Sequence, residues 1–175
     1  MTTAATIQEF GIQRENEERR DGGCAVVFDP VTQKYAVGRH SDHGAYWLFS
    51  GGVEKREEPE VAIMREVREE SGLHDFLHIE KLDEANVHYF NRLKKVNRVA
   101  YATCYLVILK STELVPRQLE VHETFELFWT DAEDILRSWH ENNVNHDVDH
   151  WIYFLKKGVA RARELGHDKT SVVTA

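Results

Sequence analysis

The sequence predicts an α/β protein in which a mixed sheet is covered by helices. Three observations carry that expectation. β-prone runs alternate along the chain with segments of helical character. The run 97–109 (NRVAYATCYLVIL) is apolar enough for a central strand. Residues 147–165 carry an apolar stripe, Trp151, Phe154 and Leu155, at the spacing of a helix that packs one face onto a core.

Taken in order, residues 1–20 read as a solvated, partly helical lead-in, densely charged from Arg14 onward and without the apolar stretch of a signal peptide. Residues 23–29 (GCAVVFD) are β-rich. The turn-prone Asp29-Pro30 leads into residues 34–38, so the pair reads as a hairpin. A polar loop at 40–46 precedes the short apolar segment 47–49, which Ser50-Gly51-Gly52 interrupts. Residues 57–71 are rich in helix formers, with Pro59 early enough for the first turn and Gly72 placed to stop the helix. Two long β-prone runs follow, 77–91 and 97–109, separated by the basic turn 92–95. A short strand at 125–129, a helix at 131–141 and the closing helix at 147–165 complete the series. No repeat, low-complexity tract or linker divides the chain. We therefore expect one domain over 21–166, preceded by the lead-in and followed by a disordered tail at 167–175.

The 175 residues, 42% hydrophobic and 30% charged, are enough to bury a core without disulfides. Cys24 and Cys104, each inside an apolar stretch, are expected to be buried reduced thiols, which fits a cytoplasmic protein. No run reaches the roughly 18 apolar residues of a membrane span. A formal net charge of −8 repels nucleic acid, so a binder of long nucleic acid is not expected. An anionic substrate would need cations to bridge it to such a protein, and a divalent metal is the obvious bridge.

The segment 51–73 (GGVEKREEPEVAIMREVREESGL) carries the chemistry. Glu66, Glu69 and Glu70 stand at i, i+3 and i+4, so their carboxylates share one helix face, with Ala62 one turn earlier. Ile63, Met64 and Val67 gather on another side, suited to packing on a sheet. Spacing alone also fits a solvated acidic face. The whole pattern is more specific: Gly51, five residues, Glu57, seven residues, then REVREESGL from Arg65 to Leu73. It resembles the box of the Nudix hydrolase family at all seven fixed positions and both aliphatic ones, a chance match far rarer than about one in a million at average residue usage. One departure is Phe49-Ser50, where many members carry Pro-Gly ahead of the glycine aligned with Gly51.

The resemblance implies a Nudix-type α/β/α sandwich with a central mixed sheet. It also implies a pyrophosphohydrolase that cleaves a phosphoanhydride bond in a nucleoside diphosphate-linked substrate by water attack at phosphorus. Glu66, Glu69 and Glu70, with the Gly51 carbonyl, are the implied ligands of Mg2+, with Mn2+ as a substitute. Arg65 and Glu57 resemble the pair that ties the preceding loop to the helix. The general base is implied to be a box glutamate (Glu66 or Glu69) or a later one among Glu120, Glu123 and Glu126; Glu123, six residues before Trp129, has a spacing common in similar sequences.

Tyr89, 16 residues beyond Leu73, resembles the tyrosine that follows the box in diadenosine polyphosphate hydrolases, whereas the proline typical of ADP-ribose pyrophosphatases is absent between Pro59 and Pro116. The expected substrate is therefore a small nucleotide or organic pyrophosphate, such as a diadenosine polyphosphate or a nucleoside triphosphate. Trp47, Phe90 and Tyr101 are candidates to stack on its base, and Arg39, Lys94, Lys95 and Arg98 to meet its phosphates. His146 and His150, four apart and flanked by Asp147 and Asp149, are read as capping or surface residues. Two alternatives remain at this level: a non-catalytic module of the family that binds a nucleotide or protein partner, and a hydrolase of a capped RNA end. Homodimers are frequent among similar proteins.

Overall fold

A computed structural model of the chain describes residues 7–143 and 146–170. Its centre is a mixed sheet of nine strands ordered β1-β7-β8-β3-β4-β5, with β2 beside β8, β6 beside β3 and β9 beside β4. The strands are β1 (Gln8–Gly11), β2 (Glu18–Arg19), β3 (Gly22–Asp29), β4 (Lys34–His40), β5 (Tyr46–Trp47), β6 (Phe49–Gly52), β7 (Phe76–Asn91), β8 (Val96–Leu109) and β9 (Phe125–Thr130). Helices α1 (Pro59–Ser71), α2 (Ala132–Asn142) and α3 (Asp149–Glu164) cover it. Among the described residues no helix is long and apolar enough to cross a membrane.

Side-chain alternation explains the layering. Along β3, Cys24, Val26 and Phe28 pack on one face with Ile135, Trp139, Phe154 and Leu155 of α2 and α3. Ala25 and Val27 pack on the other face with Ile63 and Val67 of α1. β8 does the same, Leu106 and Ile108 facing α3 while Tyr105, Val107 and Leu109 face α1. The result is the expected α/β/α sandwich with β8 central, held between β7 and β3. In β7 a register shift between Lys81 and Asp83 reverses which parity faces α3: Ile79 joins the α1 side, yet Ala85 and Val87 join the α3 side. The two cysteines lie side by side in register on β3 and β8, buried and free.

β3 forks the sheet. Its first half pairs with β6, Gly22 opposite Gly52 through Ala25 opposite Phe49, and its second half with β4. The Ser50-Gly51-Gly52 segment is thus strand rather than an interruption. Its hydrogen bonds come from the backbone, which small side chains do not advertise.

The lead-in departs from expectation. Gln8–Gly11 pairs in parallel with β7 and Glu18–Arg19 in parallel with β8, so the lead-in is solvated as expected but adds two short strands to the sheet instead of being partly helical. These strands are polar and mostly exposed, so they leave no hydrophobic alternation to read. At the other end, Asp168 is buried and accepts a 2.6 Å hydrogen bond from the Tyr35 hydroxyl, which places 167–170 against the domain. Residues 171–175 of the expected tail lie outside the described residues.

His88 of β7 ties the lead-in down, its Nδ1 2.8 Å from Glu17 and its Nε2 2.9 Å from Glu9. Burial disfavours the charged ring, but the two carboxylates outweigh it and raise the pKa above its ordinary 6.5. Because the folded value exceeds the unfolded one, the contribution of the protonated ring is complete below about pH 6.5 and is lost as pH rises through the folded value. Between about pH 6 and 9 the unfolding midpoint of the wild type should therefore fall relative to that of His88→Gln. Parallel profiles in chemical denaturation would contradict this role.

Candidate functional site

α1 is bounded as its residue types dictate. Pro59 occupies the first turn, and Gly72 ends the helix at φ 84°, its N–H bonded to the Arg68 carbonyl. Ile63 and Val67 are fully buried against the sheet. Each contributes roughly 1.5–3 kcal/mol, more than the roughly 0.2–0.5 kcal/mol of each like-charge pair on an exposed face, so core burial holds the carboxylates together.

Each glutamate of that face has a different environment. Glu70 is buried and accepts a 2.9 Å hydrogen bond from the Ser50 N–H. Burial pushes its pKa up to about 9; the Ser50 contact opposes this, and Glu123, Glu66 and Glu69 add to it. Glu66 is also raised, first by burial, with Arg65 pulling it down and Glu69 and Glu123 pushing it up. Its carboxyl lies over the backbone of Gly51, where a Cβ would fall 2.1 Å from the Glu66 carboxyl carbon. Only glycine leaves room for this approach.

Arg65 organises the entry to the helix. Its Nε and Nη2 donate to the two carboxylate oxygens of Glu57 at 3.0 and 3.2 Å, and Nη2 also reaches the Gly52 carbonyl at 3.2 Å. Nη1 stands between Glu66 and Glu69, at 2.7 and 3.2 Å. The Glu57–Arg65 pair therefore binds loop to helix as the resemblance implied.

The segment after β8 passes along the end of α1, where Val115 N–H bonds to the Gly72 carbonyl and Gln118 N–H to the Glu69 carbonyl. It brings Glu123 within electrostatic reach of Glu66 and Glu70. Glu123 also accepts from the Glu120 N–H at 2.7 Å, which fixes its turn. Of the other later glutamates, Glu126 is held by Arg39 at 2.6 Å and Glu120 lies 3.5 Å from His122.

A divalent cation fits this donor set. The groups are hard carboxylate oxygens, and Glu70 is buried with no cationic side chain in contact among the described residues. The described residues do not present three His, Cys, Asp or Glu side chains already gathered as a complete cage. Arg65 Nη1 lies between two of the carboxylates instead.

A cleft of about 730 Å3 meets this site at Ser50, Gly51 and Gly52 without including the carboxylates themselves. Trp47, Tyr89 and Arg98 line it, brought together from β5, β7 and β8; Tyr89 and Arg98 are register partners. Phe90, Lys94 and His122 also line it. Arg39 is not brought there: it pairs with Glu126 and lies 3.9 Å from the centre of the Phe128 ring. Tyr101 is also elsewhere, bonded to Glu84. Sequence reasoning missed Arg20, which lay in the expected lead-in, and His150, read as a capping or surface residue. Both line the cleft. The one available signal for His150 was its place beside Trp151 and four residues before Phe154, on the border of the apolar stripe.

A model of the NUDIX domain matches residues 18–152. No curated protein matches. Among solved structures, the NUDIX domain of Shewanella oneidensis NrtR, complexed with ADP ribose, is 18% identical and aligns with a TM-score of 0.57 over 85% of this chain and 90% of its own. A C. elegans Ap4A hydrolase in a binary complex is 15% identical, with a TM-score of 0.59 over 83% of this chain and 98% of its own. The MutT protein from Methanosarcina mazei Go1 is 15% identical, with a TM-score of 0.55 over 86% and 99%.

The contact between Gly51 and Glu66 is testable by a double-mutant cycle. Gly51→Ala should destabilise the wild type by about 1 kcal/mol, because the Glu66 carboxyl must move off its bond to Arg65, and by less than about 0.5 kcal/mol in a Glu66→Ala background. Equal losses in both backgrounds, read from urea unfolding, would show that the carboxyl does not lie there.

Proposed function

We propose that this chain, which belongs to the NUDIX domain family and is a pyrophosphohydrolase of that family, cleaves a phosphoanhydride bond in a nucleoside diphosphate-linked substrate by attack of water at phosphorus. The observation that carries this reading is the seating of Glu70 on the Ser50 N–H and of Glu66 against the Gly51 backbone, with Arg65 bridging Glu66 to Glu69 and Glu123 raising the pKa of Glu66 and Glu70. Mg2+, or Mn2+ in its place, held by these three carboxylates and the Gly51 carbonyl, would neutralise phosphate charge and lower the pKa of the attacking water.

The protein's own groups supply the rest. Glu123 takes the proton from the attacking water, since it is the later glutamate coupled to the helix and not engaged by an arginine. Arg65 keeps the loop that carries the Gly51 carbonyl seated on α1 through its two bonds to Glu57. Arg20, Arg92, Lys94 and Arg98 line the cleft and offer cationic partners to phosphate oxygens in a chain of net charge −8. Trp47 and Tyr89 supply aromatic surface in the same cleft.

The cleft joins this cationic wall to the aromatic one, which suits a substrate with both phosphates and a base. A dinucleoside polyphosphate or a nucleoside triphosphate is the class we assign. Two of the structural relatives are described with such chemistry, one as an Ap4A hydrolase and one complexed with ADP ribose.

Product release should be measured on diadenosine polyphosphates, nucleoside triphosphates, ADP-ribose and nucleotide sugars with magnesium. We expect activity on at least one, reduced at least about ten-fold in Glu69→Gln and in Glu123→Gln. Wild-type rates in folded Glu69→Gln would remove the carboxylate mechanism, and wild-type rates in Glu123→Gln would remove that residue as base.

A further inference from the structure

Two side-chain nitrogens among the described residues are buried without a hydrogen-bond partner on residues that line the cleft: Arg98 Nε from β8 and His150 Nδ1 from α3. Sealing such atoms from water without a partner is unfavourable, and native structures rarely do so without a reason. Ala100 and Ala102 line the same cleft, and their small side chains leave room in it. The wall on the α3 side is aromatic. The His150 ring lies 5.3 Å from Trp151, and Trp47 stands edge-on to Trp151 at 5.3 Å. Trp151 is buried, whereas Trp47 is 41% exposed and so offers ring surface to the cleft.

The surroundings also fix the charge of His150. Burial pushes its pKa down to about 4, with Asp149 opposing, so the ring is neutral at physiological pH. A neutral imidazole is a poor partner for phosphate. It suits a neutral polar edge that can both donate and accept, since one ring nitrogen carries a proton and the other does not.

Resting on the proposed function above, we propose that the slot between Arg98 and His150 holds the base of the nucleotide substrate, and that His150 is the residue that discriminates a heteroaromatic base from a base-free polyphosphate. The ring of the base lies against Trp47 and its polar edge supplies the partner that His150 Nδ1 lacks. Phosphates extend from there toward Gly51 and the carboxylates of α1.

The test is binding, followed by quenching of tryptophan fluorescence and by calorimetry, with ATP and inorganic tripolyphosphate as probes in the presence of calcium. Wild type should bind ATP at least about ten-fold more tightly than tripolyphosphate, in line with the cost of leaving a buried polar group unpaired. His150→Phe keeps the ring and removes both nitrogens; it should lose most of that preference while its affinity for tripolyphosphate is unchanged. His150→Asn, which restores an amide near the Nδ1 position, should recover part of the preference and guards against a variant that merely packs badly. A preference for ATP that persists in folded His150→Phe would overturn the role of His150 and leave the hydrolase reading intact. Failure of wild type to bind ATP, or to prefer it to tripolyphosphate, would overturn the base slot and leave the hydrolase reading to its own test.

Discussion

Carboxylates that must act together repel one another, and the architecture around α1 resolves that conflict before any ligand arrives. The apolar side of the helix anchors it: Ile63 and Val67 are fully buried in the cluster that also holds Ala25, Val27 and Val107. The acidic side is then free to point at the β6 backbone, where Gly51 has no side chain to displace Glu66 and the Ser50 N–H receives Glu70. Arg65 sets the remaining geometry, because its planar guanidinium reaches Glu57, Glu66, Glu69 and the Gly52 carbonyl at once. The contact of Arg65 with Glu69 follows from helical spacing, whereas those with the β6 backbone follow from how α1 packs beside that strand. Together they place the acidic face of α1 at the fork where β3 exchanges β6 for β4 as a neighbour.

That fork also explains the position of the cleft. Its lining comes from β6, the β7–β8 hairpin and α3, with small side chains at Ala100 and Ala102. The acidic face and the cleft meet at Ser50, Gly51 and Gly52. In the proposed function, chemistry and recognition are thereby built on different elements: carboxylates on one face of the sheet, aromatic and cationic walls on the other. Such a division would let substrate choice vary without disturbing the proposed metal-binding face.

Local patterns were readable from the sequence, and long-range pairings were not. α1 could be bounded from Pro59 and Gly72 because helix ends have their own chemistry, and its carboxylate face from spacing alone. The core strands could be read because β3 and β8 are apolar on both faces. The edge strands β1 and β2 escaped because they pair by backbone and bury almost nothing. Asp168 escaped because its partner, Tyr35, lies on a distant strand. In the cleft, Trp47, Tyr89 and Arg98 converge as chosen from their types, but Arg39 is drawn away by Glu126, a partner visible only once β4 and β9 are paired. His150 looked like a surface or capping residue because its burial depends on Trp151 and on the opposite wall.

The most direct test of the central claim, that α1 presents a divalent-cation site, is Mn2+ binding followed by electron paramagnetic resonance in wild type, Glu66→Gln and Glu70→Gln. The account predicts saturable binding by the wild type and at least about ten-fold weaker binding in each variant, as expected when one of a few carboxylate ligands is lost. Equal affinity in all three folded proteins would place the metal elsewhere and contradict the account.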